Sequence, residues 1–305
     1  MPSTPLPLAD NNTLNQLRQI ISAHTHGEED KNTDIADLGF FRREHQSQPC
    51  SCMVEPSVVL VVQGEKQMLV GDARYPYNAR HFLLNSIDLP ASSQVLTASP
   101  AQPCMGLVLR LDLRIMAELI AQGGICPPAE QASQPVMALG TVTAELLDAF
   151  SRLLALLEQP QHMSVMAPLI KREIHYRLLM SDQASRLWQI LAAGSHSQRI
   201  ARAIDWLKTH YTEPLRIDEL ATRVQMSSSS LHHHFRQLTT MSPLQYVKWL
   251  RLNEARRLML SDKLEAATAA FRVGYESPSQ FSREYVRLFG LPPKRDISQL
   301  AQLNT

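Results

Sequence analysis

The chain has 305 residues, 44% of them apolar, with 30 Lys+Arg against 29 Asp+Glu. That length suits about two domains with cores of their own, and the ordinary charge and apolarity exclude a wholly disordered chain. No apolar run nears the ~18 residues a bilayer span needs, Met1 to Asp10 lacks the basic start and apolar stretch of a signal peptide, and four Cys (Cys50, Cys52, Cys104, Cys126) are too few for a disulfide scaffold, so a reduced, cytoplasmic protein with no membrane partner is expected.

Residues 1–12 are rich in Pro and Asn and read as loose, and Leu14 to Ala23 reads as a short helix. From about Asp34 to Leu113 the texture is β. Val58 to Val62 is a buried-strand run that stops at Gln63-Gly64, and Lys66 to Val70 follows as its partner strand before the turn at Gly71-Asp72. Tyr75 to Tyr77, His81 to Leu84, Ser93 to Thr97 and Gly106 to Leu111 are further short strands. Strands this short, separated by Gly, Pro, Asn and Asp, predict a sandwich or a barrel. From Thr141 the pattern becomes helical. Leu146, Leu147, Phe150, Leu153, Leu154 and Leu157 form one apolar face that ends near Pro160, Pro168 starts a helix through Met180, and Ser185 to Ala193 makes a third. The wide apolar faces between Thr141 and Met180 suit either a monomer core or a dimer seam. Gly194 to Ser197 reads as a hinge, and beyond it the chain reads as helical to about Ser298.

Charge is segregated along the chain. Ser195 to Thr305 holds 16 Lys/Arg and 10 Asp/Glu, whereas the remainder holds 14 and 19. An acidic body with a basic C-terminal third points to an anionic partner for one end, nucleic acid first. That third also repeats itself at about 50 residues. Ile217 to Val224, Gln225 to Ser227 and Ser228 to Leu238 match Leu264 to Val273, Gly274 to Ser277 and Pro278 to Leu288. Each copy has a short helix with small Ala residues (Ala221; Ala269 and Ala270), a turn whose Ser227 or Ser277 can cap the next helix, and a second helix anchored by Leu231/Phe235 or Phe281/Tyr285. The small residues allow close helix crossing, and the apolar pair turns the intervening polar residues outward. This is the pattern of a helix-turn-helix, whose second helix enters the major groove. Pro243 to Leu260, between the copies, predicts a rigid helix of about 27 Å, able to hold two reading helices near one DNA turn apart.

Residues 200–297, with Ala255-Arg256-Arg257-Leu258, Val273 to Ser277, Gln280 to Arg283 and Phe289 to Pro293, resemble the AraC/XylS family of transcription regulators. Glu55-Pro56-Ser57 to Lys66, Ser86 to Pro90 and Ala98 to Pro100 resemble the N-terminal domain of a subgroup, some members of which are linked to aldehyde or other electrophile responses. The resemblance implies a multidomain α+β protein: an N-terminal helix and arm over 1–33, a cupin-like β-barrel effector domain over 34–130, a helical dimerisation and linker segment over 131–194, and an all-α DNA-binding domain over 195–300 with helix-turn-helix units at about 215–239 and 264–288. It implies promoter DNA, a small-molecule effector, RNA polymerase and a second copy of the chain as partners, with no cofactor or metal.

Matched to the family pattern, Ser229, His232 and His233 on the first reading helix and Ser279, Gln280 and Arg283 on the second face bases. Arg283 can fork onto guanine and Gln280 can bridge adenine. The family more often carries larger or more basic residues where Ser229 stands. Arg236, Lys248, Arg251 and Arg287 are cast as phosphate clamps, which position without specifying. His232 to His234 point about 100° apart along a helix, so they cannot converge on one ion, and His234 is expected to pack inward.

The candidate sensing residues are Cys50, Cys52, Cys104, His81 and Tyr77. On a strand Cys50 and Cys52 share a face, where two thiols can hold a soft metal or, as thiolates, meet an electrophile, with His45, His81 and Cys104 able to complete a site. Inert burial of the thiols is the simpler alternative. Tyr75, Tyr77 and Phe82 either line a pocket or fill the core. The alternative function is a cupin-type metal enzyme fused to a DNA-binding domain. It lacks an evident ligand set, since His24-Thr25-His26, the His-x-His pair of the N-terminal part, precedes the barrel, and no catalytic residue is assigned.

Overall fold

The computed structural model describes residues 11–26, 29–125, 135–192 and 194–303. One compact unit ends at Ser195 and a second begins at His196. Cys126 lies outside the described residues.

The first unit runs through α1 (Asn11–His24), β1 (Asp30–Asn32), β2 (Leu38–Arg43), β3 (Cys50–Val54), β4 (Ser57–Gln63), β5 (Glu65–Val70), β6 (Ala73–Tyr77), β7 (His81–Asn85), β8 (Leu89–Thr97), β9 (Cys104–Arg110), α2 (Leu113–Ala121), β10 (Met137–Thr141), α3 (Ala144–Ala155), α4 (Pro160–Leu179) and α5 (Ala184–Leu191). The strands form two sheets, ordered β1-β2-β9-β4-β7-β10 and β3-β8-β5-β6. The expected closed barrel is therefore corrected to two separate sheets: no strand among the described residues pairs across them. Strand length and turn chemistry indicate that strands pair, but closure depends on which edges meet, and Pro76 in the edge strand β6 cannot donate to a further neighbour.

A second correction concerns β5. It is no partner of β4; the chain crosses to the other sheet at Gly64, and β5 pairs with β6 and β8. Gly64 has φ +81°, and a Cβ there would meet the Thr97 carbonyl oxygen at 2.6 Å and the Cys104 Cα at 2.8 Å. A backbone so close to two others, in the left-handed region, needs glycine.

Strand β4 lies between β7 and β9, which explains its unbroken apolar run. Val58, Leu60 and Val62 share a core with Leu17 and Ile21 of α1, Phe150 and Leu153 of α3, and Ile174 of α4. By alternation the other face of β4 carries Ser57 and Val59 toward the four-stranded sheet. Thus α1 contributes to the core, β10 pairs with β7, and α3, α4 and α5 add residues to the same core. Pro168 lies inside α4, which starts at Pro160 instead. Ala167, Ile170 and Ile174 pack into the core on both sides of Pro168 and hold the helix through it, which a local pattern does not reveal.

The second unit contains α6 (His196–His210), α7 (Ile217–Arg223), α8 (Ser228–Thr239), α9 (Pro243–Ser261), α10 (Ala266–Arg272), α11 (Pro278–Phe289) and α12 (Pro293–Leu303). Helix α9 opens with a Ser242/Gln245 capping box and Pro243 at its first turn. At 1.5 Å per residue its 19 residues span about 28 Å, and it packs against α6, α8, α10, α11 and α12.

Candidate functional site

The two halves of the repeat have closely similar local geometry. After α7, the Met226 amide donates to the Ala221 carbonyl at 2.9 Å; after α10, the Tyr275 amide donates to the Ala270 carbonyl at 3.0 Å. A residue in the left-handed region makes each turn, Gln225 at φ 56° and Gly274 at φ 89°. Ser227 then caps α8 by accepting from the Ser230 amide, and Ser277 caps α11 by accepting from the Gln280 amide. Ala221 and Ala270 are buried where the short helices pack. Leu231 and Phe235 anchor α8, and Phe281 and Tyr285 anchor α11, all four fully buried.

That anchoring fixes what faces outward. On α8, Ser229, His232, His233 and Arg236 are exposed at spacings of three, four and seven, one face of the helix. On α11, Ser279, Gln280, Arg283 and Arg287 are exposed on the face opposite Phe281 and Tyr285. Arg236, Arg283 and Arg287 make no side-chain hydrogen bond or ion pair with other described residues. Such long, exposed cations suit the phosphates and guanine edges of a duplex. His234 is half-buried, its ring stacked on His196 at 3.9 Å between centroids.

Two expected clamps are occupied inside the fold. Arg251 donates from Nε to the Tyr211 carbonyl at 2.6 Å, from Nη1 to the Gly274 carbonyl at 2.9 Å and from Nη2 to the Glu213 carbonyl at 2.8 Å. These bonds tie the loop after α6 to the second turn. Lys248 pairs with Glu284 at 2.7 Å. Glu284 also accepts from Tyr275 Oη at 2.8 Å and from Gln280 Nε2 at 3.2 Å, so Gln280 leaves that bond if it reads a base. Arg256, one of the residues carrying the family resemblance, makes a bidentate pair with Asp296 (2.8 and 2.7 Å), which also accepts from Tyr285 Oη at 2.6 Å. It joins α9, α11 and α12.

In the first unit, a cavity of about 600 Å³ opens between the sheets. Its lining includes Cys52, Lys66, Met68, Tyr77 and Ser93 from one sheet and Phe41, Val59, Val108 and Arg110 from the other. Of the expected sensing residues, Cys52 and Tyr77 line it, Cys50 and His81 are exposed, and Cys104 is buried. Burial, with Cys50 nearby, pushes the Cys52 thiol up to about 11; burial likewise pushes Cys104 up to about 11. Both are thiols at neutral pH, so the expected thiolate is not favoured at either position. Exposed His45 and His81 do not complete a ligand set with the thiols: no group of three or more His, Cys, Asp or Glu able to hold a metal occurs among the described residues. Sequence reasoning missed Lys66. The signal was available, because Lys66 alternates with Met68 and Val70 on the inward face of β5, where a charge is unexpected.

A family model described as AraC-type transcriptional regulator N-terminus matches residues 34–186, and a helix-turn-helix domain model matches residues 220–298. The chain belongs to the AraC-type transcriptional regulators. Within this family it is 28% identical, over 159 residues, to an HTH-type transcriptional activator RhaS of Escherichia coli O1:K1. That match covers 52% of this chain, and the chain spans 56% of the length of the relative. The fold is similar over most of the chain to that of ToxT of Vibrio cholerae: the apo, singly substituted protein aligns with a TM-score of 0.57 at 9% identity, covering 87% of this chain and 98% of ToxT. Wild-type ToxT bound to an unsaturated fatty acid aligns at 0.55 and 11% identity, covering 85% and 94%. No helix among the described residues is long and apolar enough to cross a membrane.

Proposed function

We propose that this AraC-type chain is a sequence-specific regulator of transcription that binds promoter DNA through α8 and α11 and adjusts that binding when a small molecule occupies the inter-sheet cavity. The observation that carries the reading is the duplicated reading helix, in which buried anchors turn Ser229, His232 and His233, and Ser279, Gln280 and Arg283, outward. Arg236 and Arg287 supply phosphate contacts. The cavity supports the sensing half, and its lining, which mixes apolar Phe41, Val59, Met68 and Val108 with polar Lys66, Tyr77 and Ser93, suits a small effector with an apolar body and a polar group, an aldehyde or other electrophile among them. Ligand control requires unequal affinity for two arrangements of the chain, and Gly194, at φ 75° beside the boundary between the units, is the proposed articulation. A second copy is the proposed partner for the exposed apolar stripe of α4.

Selection of bound duplexes from a random pool at near-physiological salt tests the reading. A motif of two short blocks about one helical turn apart is expected. Binding with equal affinity and equal salt slope on any duplex would refute sequence-specific recognition.

A further inference from the structure

The inter-sheet cavity holds a lysine, Lys66, that is in no ion pair among the described residues, although Asp30, Asp37 and Glu55 also line the cavity. Register places Lys66 of β5 directly across from Tyr77 of β6, with Val95 of β8 on its other side. Partners across a sheet share a face, so Lys66 and Tyr77 project together into the cavity they line. The Lys66 Nζ lies 4.1 Å from the centre of the Phe41 ring, contributed by the opposite sheet. Phe41 can occupy that place because its neighbour on β9 is Gly106, where a Cβ would come within 2.5 Å of the ring. Lys66 makes no side-chain hydrogen bond and no ion pair among the described residues. The other cations near it are matched: Arg43 pairs with Asp30 at 2.8 Å, and Arg110 with Glu55 at 2.7 Å. The cavity thus has no surplus of free positive charge at its rim to draw in an anion.

Desolvation acts oppositely on the nucleophiles gathered here. It pushes Lys66 down, toward the free amine, and Cys52 and Cys104 up, toward the unreactive thiol. Of these three groups, Lys66 is the one that burial shifts toward its nucleophilic form, while the Phe41 ring face favours the cation. Burial also holds Tyr77 as a protonated phenol, a donor beside the amine.

We propose that Lys66 is the attachment point for a small carbonyl compound, an aldehyde or ketone with an apolar body, which it captures as an imine inside the inter-sheet cavity. The amine nitrogen forms a bond to the carbonyl carbon while the C=O pair moves to oxygen, and a proton passes from nitrogen to that oxygen to give a carbinolamine. Loss of the hydroxyl together with the remaining nitrogen proton releases one water and leaves the C=N bond. No oxidant or reductant takes part, and water reverses the step, as a sensor requires. The effect of capture on DNA rests on the regulator reading above; the capture itself does not.

The test uses the full chain, butanal as the probe, borohydride to fix any imine as a secondary amine, and peptide mass spectrometry to locate it. The expected result is a reduced adduct on Lys66 at least about tenfold above that on any other lysine, absent in Lys66→Arg and Lys66→Met. Because the wild type is itself the readout, a variant that fails to fold leaves the test intact. Labelling spread evenly over surface lysines, adducts on Cys52 or Cys104, or saturable binding of butyrate with no butanal adduct would each overturn the proposal, the last by making Lys66 an anion site. A parallel measurement on the selected duplex separates the two ideas. Butanal is expected to change wild-type affinity by about tenfold and leave Lys66→Arg unchanged. Duplex selection without a Lys66 adduct refutes the capture alone, and an adduct on a chain that selects no duplex refutes the regulator reading alone.

Discussion

Arg283 and Arg236 are both exposed cations on reading helices, yet they are cast in different roles. Arg283→Ala is expected to cost about 1–3 kcal/mol and relax preference at one base pair, whereas Arg236→Ala is expected to weaken all duplexes alike and reduce the salt slope by about one; selection and titration across salt distinguish them. His175 serves the fold rather than DNA. Its Nε2 accepts from the Asp112 amide at 2.8 Å and its Nδ1 donates to the Lys171 carbonyl at 2.6 Å, which fixes one neutral tautomer between α4 and the start of α2. Burial pushes its pKa down; the hydrogen bond to the Lys171 carbonyl opposes this, the Lys171 charge adds to it, and Asp112 and Asp37 oppose it. The unfolded chain therefore binds this proton more readily, and its contribution to stability is complete above the unfolded value of about 6.5 and lost as pH falls below it. Thermal unfolding from pH 7.5 to 5 is expected to show this loss, and His175→Gln to flatten it. Arg256→Ala leaves Asp296, 4% exposed, as an unpaired buried carboxylate, and urea unfolding is expected to register a loss of about 3–5 kcal/mol.

At the scale of elements, α4 carries apolar residues on two faces, with Lys171, Arg172, Glu173 and Arg177 making ion pairs in its second half. Ala167, Ile170, Ile174 and Leu178 are buried, while Val165, Leu169 and Tyr176 expose 65%, 58% and 42% on another face. A charge in the middle of that stripe, Leu169→Glu, is expected to leave the monomer folded and shift sedimentation toward the monomer, if a second copy covers the stripe as proposed. The two helix-turn-helix units differ by one residue: four residues separate α7 from α8, and five separate α10 from α11. Gly274, in the longer turn, has its carbonyl held by Arg251, and a Cβ there would lie 2.2 Å from the Thr212 carbonyl oxygen. Gly274→Ala is expected to destabilise the second unit and weaken duplex binding more than an exposed helix substitution does, as melting curves would register. The repeat, its caps and its anchors were legible in sequence because each is a local pattern. The role of Arg251 was not, because its three acceptors lie up to 40 residues away.

At the scale of the molecule, the second unit has a core of its own, built by Leu252, Ala255, Ala270, Phe281 and Tyr285. Residues 196–305 alone are expected to fold and to select the same duplex motif, with an affinity indifferent to any effector; circular dichroism and titration against the selected duplex check both halves of that statement. An effector response retained by this fragment would place sensing outside the inter-sheet cavity.

Sequence by itself determined what depends on neighbours within a few turns: most strands and helices, the polarity of the two reading helices, the break near Gly194 and the basic C-terminal third, since periodicity, capping and charge are local. Tertiary structure decided what depends on distant partners. Val58 to Val62 and Lys66 to Val70 look like a hairpin in sequence, yet Gly64 sends them to different sheets. Phe41, Lys66 and Tyr77 meet only because two sheets face each other, and Lys248 and Arg251 look as free as Arg283 until Glu284 and three backbone carbonyls are placed beside them. The physical reason is the same in each case: strand pairing, burial and the charge state of a side chain are set by groups far along the chain, and only the folded arrangement brings those groups together.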